Sequence, residues 1–102
     1  MSVTAGYLNR VRRSVRVGGN ADIDEEITEM IEECRADLQS VGVSRDKTRD
    51  ETDSLILGAV RCFVRWKFGV NNDEAERNRD DYQILKEDLR KKRGYQCISV
   101  TE

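Results

Sequence analysis

The side chains that most often perform chemistry are scarce in this 102-residue sequence, which contains no histidine and three cysteines. Cys34, Cys62 and Cys97 lie far apart, and no two of them form the CxxC spacing of zinc and redox sites. Without histidine, a zinc site would need carboxylates beside widely spaced thiols, and no Ser–His or Cys–His pair can form. We therefore expect no metal site, and we interpret Cys34 and Cys62 as small apolar residues.

Carboxylates are abundant, but their pattern is typical of solvated helix faces rather than of an acid–base pair. The segment DKTRDETD, residues 46–53, could hold a cation weakly, although it lacks the spaced oxygens and the glycine of an EF-hand loop. Gly18-Gly19 is the only glycine doublet, and phosphate-binding patterns such as GxxxxGK[ST] are absent. We expect neither an enzyme nor a cofactor.

The composition is typical of one small domain with a densely charged surface. Hydrophobic residues and charged residues each make up 37% of the chain. No apolar run approaches the ~18 residues of a membrane span, and the N-terminus lacks an apolar signal region. We expect synthesis in the cytoplasm and no membrane partner.

Apolar periodicity predicts four helices, at about 4–17, 22–42, 54–68 and 73–93, separated by glycines and by a charged loop at 43–53. Asp73 and Glu76 have the spacing of a capping box at the start of the last helix. The predicted fold class is therefore all-α, a small bundle of about four helices with a short extended C-terminal tail. The core is predicted to contain nine residues, which are Ile27, Ile31, Leu38, Leu55, Ala59, Phe63, Trp66, Tyr82 and Leu85.

The predicted domain boundary separates a helical domain, residues 1–94, from the tail, residues 95–102. The tail reads as an extended segment or a short strand. A single strand is not stable alone, because its backbone groups need partners. We expect the tail to order on another chain.

Opposite charges are concentrated in two neighbouring segments. Residues 1–17 carry a charge of +4, and residues 22–38 carry −7. Such blocks suit head-to-tail contact between copies, and they equally suit contact between the two segments within one chain. The basic face of the first helix could bind protein, face solvent or contact DNA, although the net charge of −2 argues against a dedicated nucleic-acid binder.

Three segments resemble a known family when they are taken in order. They are EITEMIEECRADLQSVGV (26–43), AVRCFVRWKFG (59–69) and YQILKEDL (82–89). Together with the short first helix and the tail, they resemble the head-to-tail connector proteins of long-tailed double-stranded DNA bacteriophages, also called adaptor, head-completion or DNA-packaging proteins. Many relatives are expected to carry a proline near the start of the third helix, where this chain has Asp53-Ser54.

The resemblance implies a virion structural subunit at the capsid–tail junction. Copies would form a ring, typically a dodecamer, beneath the portal protein, and the far face would receive a stopper or tail protein. Genome DNA would pass through the channel without sequence-specific binding. The tail would bind portal through a strand made by Ile98, Ser99, Val100 and Thr101. Ring or partner contacts are expected at Arg10, Arg12, Arg13, Arg16, Glu29, Glu33 and Ile84.

Two other functions fit the same sequence. A small helical regulator would bind DNA through the first or fourth helix, with strong salt dependence. A protein-interaction module would form a discrete complex with one soluble partner and no ring.

Overall fold

A computed structural model describes residues 3–15, 20–68 and 73–96. These residues form five α-helices, which are α1 (Ala5–Ser14), α2 (Ala21–Ser40), α3 (Arg45–Thr48), α4 (Ser54–Lys67) and α5 (Ala75–Lys91). In the described residues the only β pairing is one antiparallel bridge between Val43 and Gln96. The predicted all-α bundle is confirmed. No helix within these ranges is long and apolar enough to span a membrane.

Polar side chains set the starts of the first four helices. Each accepts a hydrogen bond from a backbone N–H in the first turn, and the four residues are Thr4, Asn20, Ser44 and Asp53. These bonds satisfy donors that a helix cannot pair internally. The start of α5 differs, because Glu74 occupies the cap position and makes no side-chain hydrogen bond to the helix. The capping box predicted from Asp73 and Glu76 is therefore wrong.

Two glycines end helical segments as predicted. Gly42 follows α2 with a φ of 105°, and Gly94 follows α5 with a φ of 92°. Side chains other than that of glycine are strained at such angles, which explains the residue type at both stops.

The central helix is α4, which packs against α1, α2 and α5. Phe63 and Tyr82 meet edge to face across the α4–α5 contact, with ring centroids 5.1 Å apart. Six of the predicted core residues are buried, namely Ile27, Ile31, Leu38, Ala59, Phe63 and Tyr82. Trp66 and Leu85 are half-buried and pack against this cluster.

The core prediction for Leu55 is wrong, since this side chain is 41% exposed. Successive residues of a helix are turned by about 100° from one another, and this turn carries Leu55 out of the arc that Ile56 and Leu57 bury. The sequence does not reveal this, because α4 is apolar around most of its circumference.

The predicted charged loop at 43–53 contains structure that the sequence pattern does not show. It includes the single-turn helix α3, in which the Thr48 hydroxyl donates to the Arg45 carbonyl at 2.9 Å. Thr48 and Val43 are both buried, and the Gln39 amide donates to the Thr48 hydroxyl at 2.9 Å. One turn is too short to produce an apolar period, so this helix could not be predicted.

The first residues of the predicted tail lie on the helical body. The Ser44 N–H donates to the Tyr95 carbonyl at 2.7 Å, and the Tyr95 hydroxyl donates to the Asp53 carboxylate at 2.5 Å. The second bond, with a smaller effect of burial, raises the pKa of Tyr95 to about 12. The predicted portal-binding residues Ile98, Ser99, Val100 and Thr101 lie outside the described residues.

Candidate interaction surfaces

The basic face of α1 is smaller than its four arginines suggest. Arg10 and Arg13 are exposed, and within the described residues neither has an acidic partner. Arg12 is instead bound to Asp24 of α2 at 2.8 Å. Arg16 lies outside the described residues. The two charge blocks therefore meet within one chain at Arg12 and Asp24. Among the described arginines of α1, Arg10 and Arg13 are available to a partner.

The acidic face of α2 is most open in the first half of the helix. Glu25, Glu26 and Glu29 are exposed, and none of them forms an ion pair with another described residue. Glu33 lies further along the helix, 3.8 Å from the ammonium of Lys67 on α4. Of the two glutamates predicted to contact a partner, Glu29 is thus exposed and unpaired within the described residues, whereas Glu33 forms an ion pair with Lys67 of the same chain.

The outward face of α5 carries the most exposed large apolar side chain of the described residues, Ile84, at 61% exposure. Asp81 and Asp88 lie three residues before it and four residues after it, so both flank it on the helix surface. Both are exposed and have no ion-pair partner within the described ranges. Glu87 is different, because a hydrogen bond from Arg90 holds its pKa at about 2. Ile84 with Asp81 and Asp88 is called the α5 knob below.

A second exposed strip runs along the outer side of α4. It combines exposed Leu55 with half-buried Arg61 and Cys62, and Gly58 lies between them. Apart from the adjacent residues and the neighbouring backbone of α4 itself, no atom lies within 4 Å of the position that a Cβ would occupy at Gly58. The helix therefore has a shallow notch at this point. The α4 notch denotes Ser54, Leu55, Gly58, Arg61 and Cys62.

The two described cysteines are poor nucleophiles. Burial raises the pKa of the Cys34 thiol to about 12, and its sulfur lies 3.8 Å from the Tyr82 hydroxyl. Burial also raises the pKa of Cys62, and the nearby Asp81 carboxylate adds to this effect. The thiolate is the reactive form of cysteine, so both side chains stay protonated at neutral pH.

A polar network that the sequence pattern does not reveal joins α2 to α5. The Tyr82 hydroxyl donates to the Asp37 carboxylate at 2.7 Å, and the Lys86 ammonium donates to the same oxygen at 3.0 Å. Partial burial opposes ionisation of Asp37, but these two bonds outweigh it and hold the pKa of the carboxyl below its usual value. The network links α5 to α2 through side-chain hydrogen bonds, whereas the helix itself packs on α4.

Arg35 is the second feature that sequence reasoning missed. It is 1% exposed, and its guanidinium lies 3.4 Å from Glu32 and 3.6 Å from Glu51. It also stacks over the Tyr7 ring at 5.5 Å, while Glu51 accepts hydrogen bonds from the backbone and hydroxyl of Thr4. This cluster connects the start of α1 to α2. Its sequence signal is the position of Arg35 four residues after Ile31, next to the apolar stripe.

The described residues contain no group of three His, Cys, Asp or Glu side chains that could hold a metal ion. An open cleft of about 550 Å³ lies where α1, α4 and the start of α5 converge, and it is lined by Arg13, Ser14, Val15, Arg65 and Glu74. Arg65 and Glu74 lie 3.8 Å apart across it. The lining therefore carries both charges rather than one sign.

Comparison with known proteins gives no family assignment. No family model matches the sequence, and neither a curated protein nor a solved structure matches it. A functional hypothesis for this chain therefore rests on the charge and exposure of its own surface residues.

Proposed function

We propose that this chain is a binding subunit of the head-to-tail connector type, which assembles as a ring under the portal of a bacteriophage capsid. The observation that carries the proposal is the presence of two exposed faces of opposite charge on one small domain. Arg10 and Arg13 form the basic face on α1, and Glu25, Glu26 and Glu29 form the acidic face on α2. When a surface of one copy meets a different surface of the next, the contact is heterologous and can close into a ring.

The mechanism is assembly by many weak contacts. A single exposed ion pair contributes ~0–1 kcal/mol, so one lateral contact would be weak and reversible. A closed ring repeats the contact at every subunit, and docking on a portal ring would present many binding sites at once. This arrangement favours a subunit that stays dispersed until portal is available.

The C-terminal tail supplies the proposed portal contact. Gln96 is held by the bridge to Val43, and Tyr95 is held by Ser44 and Asp53. Residues 97–102 therefore follow an anchored point, from which Ile98 to Thr101 would pair with a portal strand through main-chain hydrogen bonds. The stopper or tail protein would bind the opposite face of the ring, and genome DNA would pass through its channel.

The deciding experiment is light scattering after size exclusion, with the chain alone and with the portal protein encoded beside it. We expect a ring that forms on portal or at high chain concentration, and that weakens with salt. Reversing both α1 charges, Arg10→Glu with Arg13→Glu, should abolish it. A matched control reverses Lys92 and Arg93, which are also exposed and basic, and should leave it intact.

Mixing variants tests the pairing of the two faces. Chains carrying Glu25→Arg and Glu29→Arg should form mixed assemblies with the Arg10→Glu and Arg13→Glu chains, because the reversed charges are again complementary. A chain truncated after Gln96 should keep its fold and lose portal docking. A chain that ignores portal in every arm would contradict the proposal, and salt-dependent binding of a DNA duplex would favour the regulator instead.

A further inference from the structure

The α5 knob has the features of an unoccupied contact site. Ile84 is 61% exposed, whereas the two leucines of α5, Leu85 and Leu89, are half-buried and buried. Two carboxylates flank it, from Asp81 and Asp88, and neither forms an ion pair within the described ranges. A partner for this knob should offer space for a branched side chain with a basic group beside it.

The α4 notch offers this combination. The open space at Gly58 can receive a side chain, and Leu55 and Cys62 give the notch apolar edges. Arg61 lies one turn after Gly58, and within the described residues it has no acidic partner. Its Nε is shielded from solvent and makes no hydrogen bond there. Ser54, one turn before Gly58, adds an exposed hydroxyl.

The knob and the notch lie at about the same height of one helical hairpin. Gly58 lies nine residues before Lys67, the last residue of α4, and Ile84 lies nine residues after Ala75, the first residue of α5. At 1.5 Å per residue, each is about 14 Å from the α4–α5 connection. The negative charge of Asp81 on α5 contributes to the raised pKa of Cys62 on α4. The side of the knob that carries Asp81 therefore lies close to the side of the notch that carries Cys62.

We propose that a second copy of this chain covers this face, related by a two-fold axis parallel to α4 and α5. The axis places α5 of each copy antiparallel on α4 of the other, with Ile84 of one copy over Gly58 of its partner. In this register Asp81 meets Arg61, and Asp88 meets the Ser54 hydroxyl. The charges and the apolar surfaces are complementary in both halves, and the contact is made twice.

This pairing uses α4 and α5, whereas the proposed ring contact uses α1 and α2. The dimer is therefore independent of the proposed function, and either contact can exist without the other. Reversing the charges of Arg10 and Arg13 should abolish ring formation and leave the dimer intact. A substitution at Gly58 should abolish the dimer and leave ring formation intact.

Sedimentation of the full chain over a concentration series tests the dimer. We expect a monomer–dimer equilibrium that Gly58→Leu abolishes, because the new side chain fills the notch. The matched control is Gly6→Leu, since Gly6 is also a helical glycine whose Cβ position has no atom within 4 Å apart from its own helix and adjacent residues. Both changes should maintain or raise the melting temperature, because leucine favours helix more than glycine does. A chain that stays monomeric, or equal dimerisation by the two variants, would overturn the proposal.

Two further substitutions test the register. Ile84→Asp should weaken the dimer about a hundredfold, since each of the two contacts loses roughly a factor of ten. Gln83→Asp adds the same charge at a neighbouring exposed position and should change the dimer constant less than about threefold. Asp81→Arg and Arg61→Asp should each weaken dimerisation, and the double variant should restore it. Additive losses in the double variant would refute this pairing of the two charges.

Discussion

Replacing Tyr82 with phenylalanine should lower the free energy of unfolding by about 2 kcal/mol. The Tyr82 hydroxyl is buried and donates to the charged Asp37 carboxylate at 2.7 Å. A hydrogen bond to a charged group contributes about 1.5–3 kcal/mol. Asp37 is 36% exposed, so water would solvate it after the substitution, which favours the lower half of that range. The Cys34 thiol would also lose the Tyr82 hydroxyl, to which it donates at 3.8 Å.

The matched control is Tyr7→Phe, because Tyr7 is also a buried tyrosine, but its hydroxyl donates to no acceptor within the described residues and lies near the Arg35 guanidinium. This hydroxyl donates to no carboxylate, and Arg35 keeps Glu32 and Glu51 as partners after the substitution, so the free energy of unfolding should change by less than about 1 kcal/mol. Urea unfolding followed by the fluorescence of Trp66, the single tryptophan, measures both variants. For a domain of this size the Tyr82 loss corresponds to a melting temperature lower by roughly 10 °C.

The pH dependence adds a second check on the same bond. The pKa of Asp37 is lower in the folded chain than in the unfolded chain, so ionised Asp37 stabilises the fold above its unfolded pKa of about 4. This contribution disappears as the pH falls through the lower, folded pKa. The decrease in the free energy of unfolding caused by Tyr82→Phe should therefore have its full size at pH 7 and be smaller in strong acid. Equal losses for the Tyr82 and Tyr7 variants at pH 7, or a loss that grows in acid, would refute the reasoning.

Three other outcomes follow from burial, capping and reactivity. Leu57→Ala should destabilise the chain by about 2–4 kcal/mol in urea unfolding, because Leu57 is 4% exposed. Leu55→Ala should destabilise it by less than about 1 kcal/mol in the same assay, because Leu55 is 41% exposed. Asp53→Ala should destabilise by about 2 kcal/mol in thermal unfolding, because it removes both the cap of α4 and the acceptor for the Tyr95 hydroxyl. With a thiol-alkylating reagent and peptide mass mapping, native Cys62 should react faster than Cys34, and the two rates should converge in denaturant.

The boundaries of the helices were largely predictable because they depend on local sequence. Capping residues and glycine stops act within one turn, and apolar residues at spacings of three and four identify a buried stripe whatever it packs against. The starts at Thr4 and Ser54 are examples. The start of α5 and the single turn of α3 were missed, since in both cases the local signal is weak or misleading.

The amino-acid sequence by itself determined the all-α class, the two charged segments and the absence of histidine. Only the tertiary structure decided which face of α4 is exposed, that Arg12 is bound to Asp24, and that Tyr82 reaches Asp37. The last two contacts join residues 12 and 45 positions apart. Their existence depends on how whole helices pack and rotate against one another, and helical periodicity fixes only the pattern along each helix.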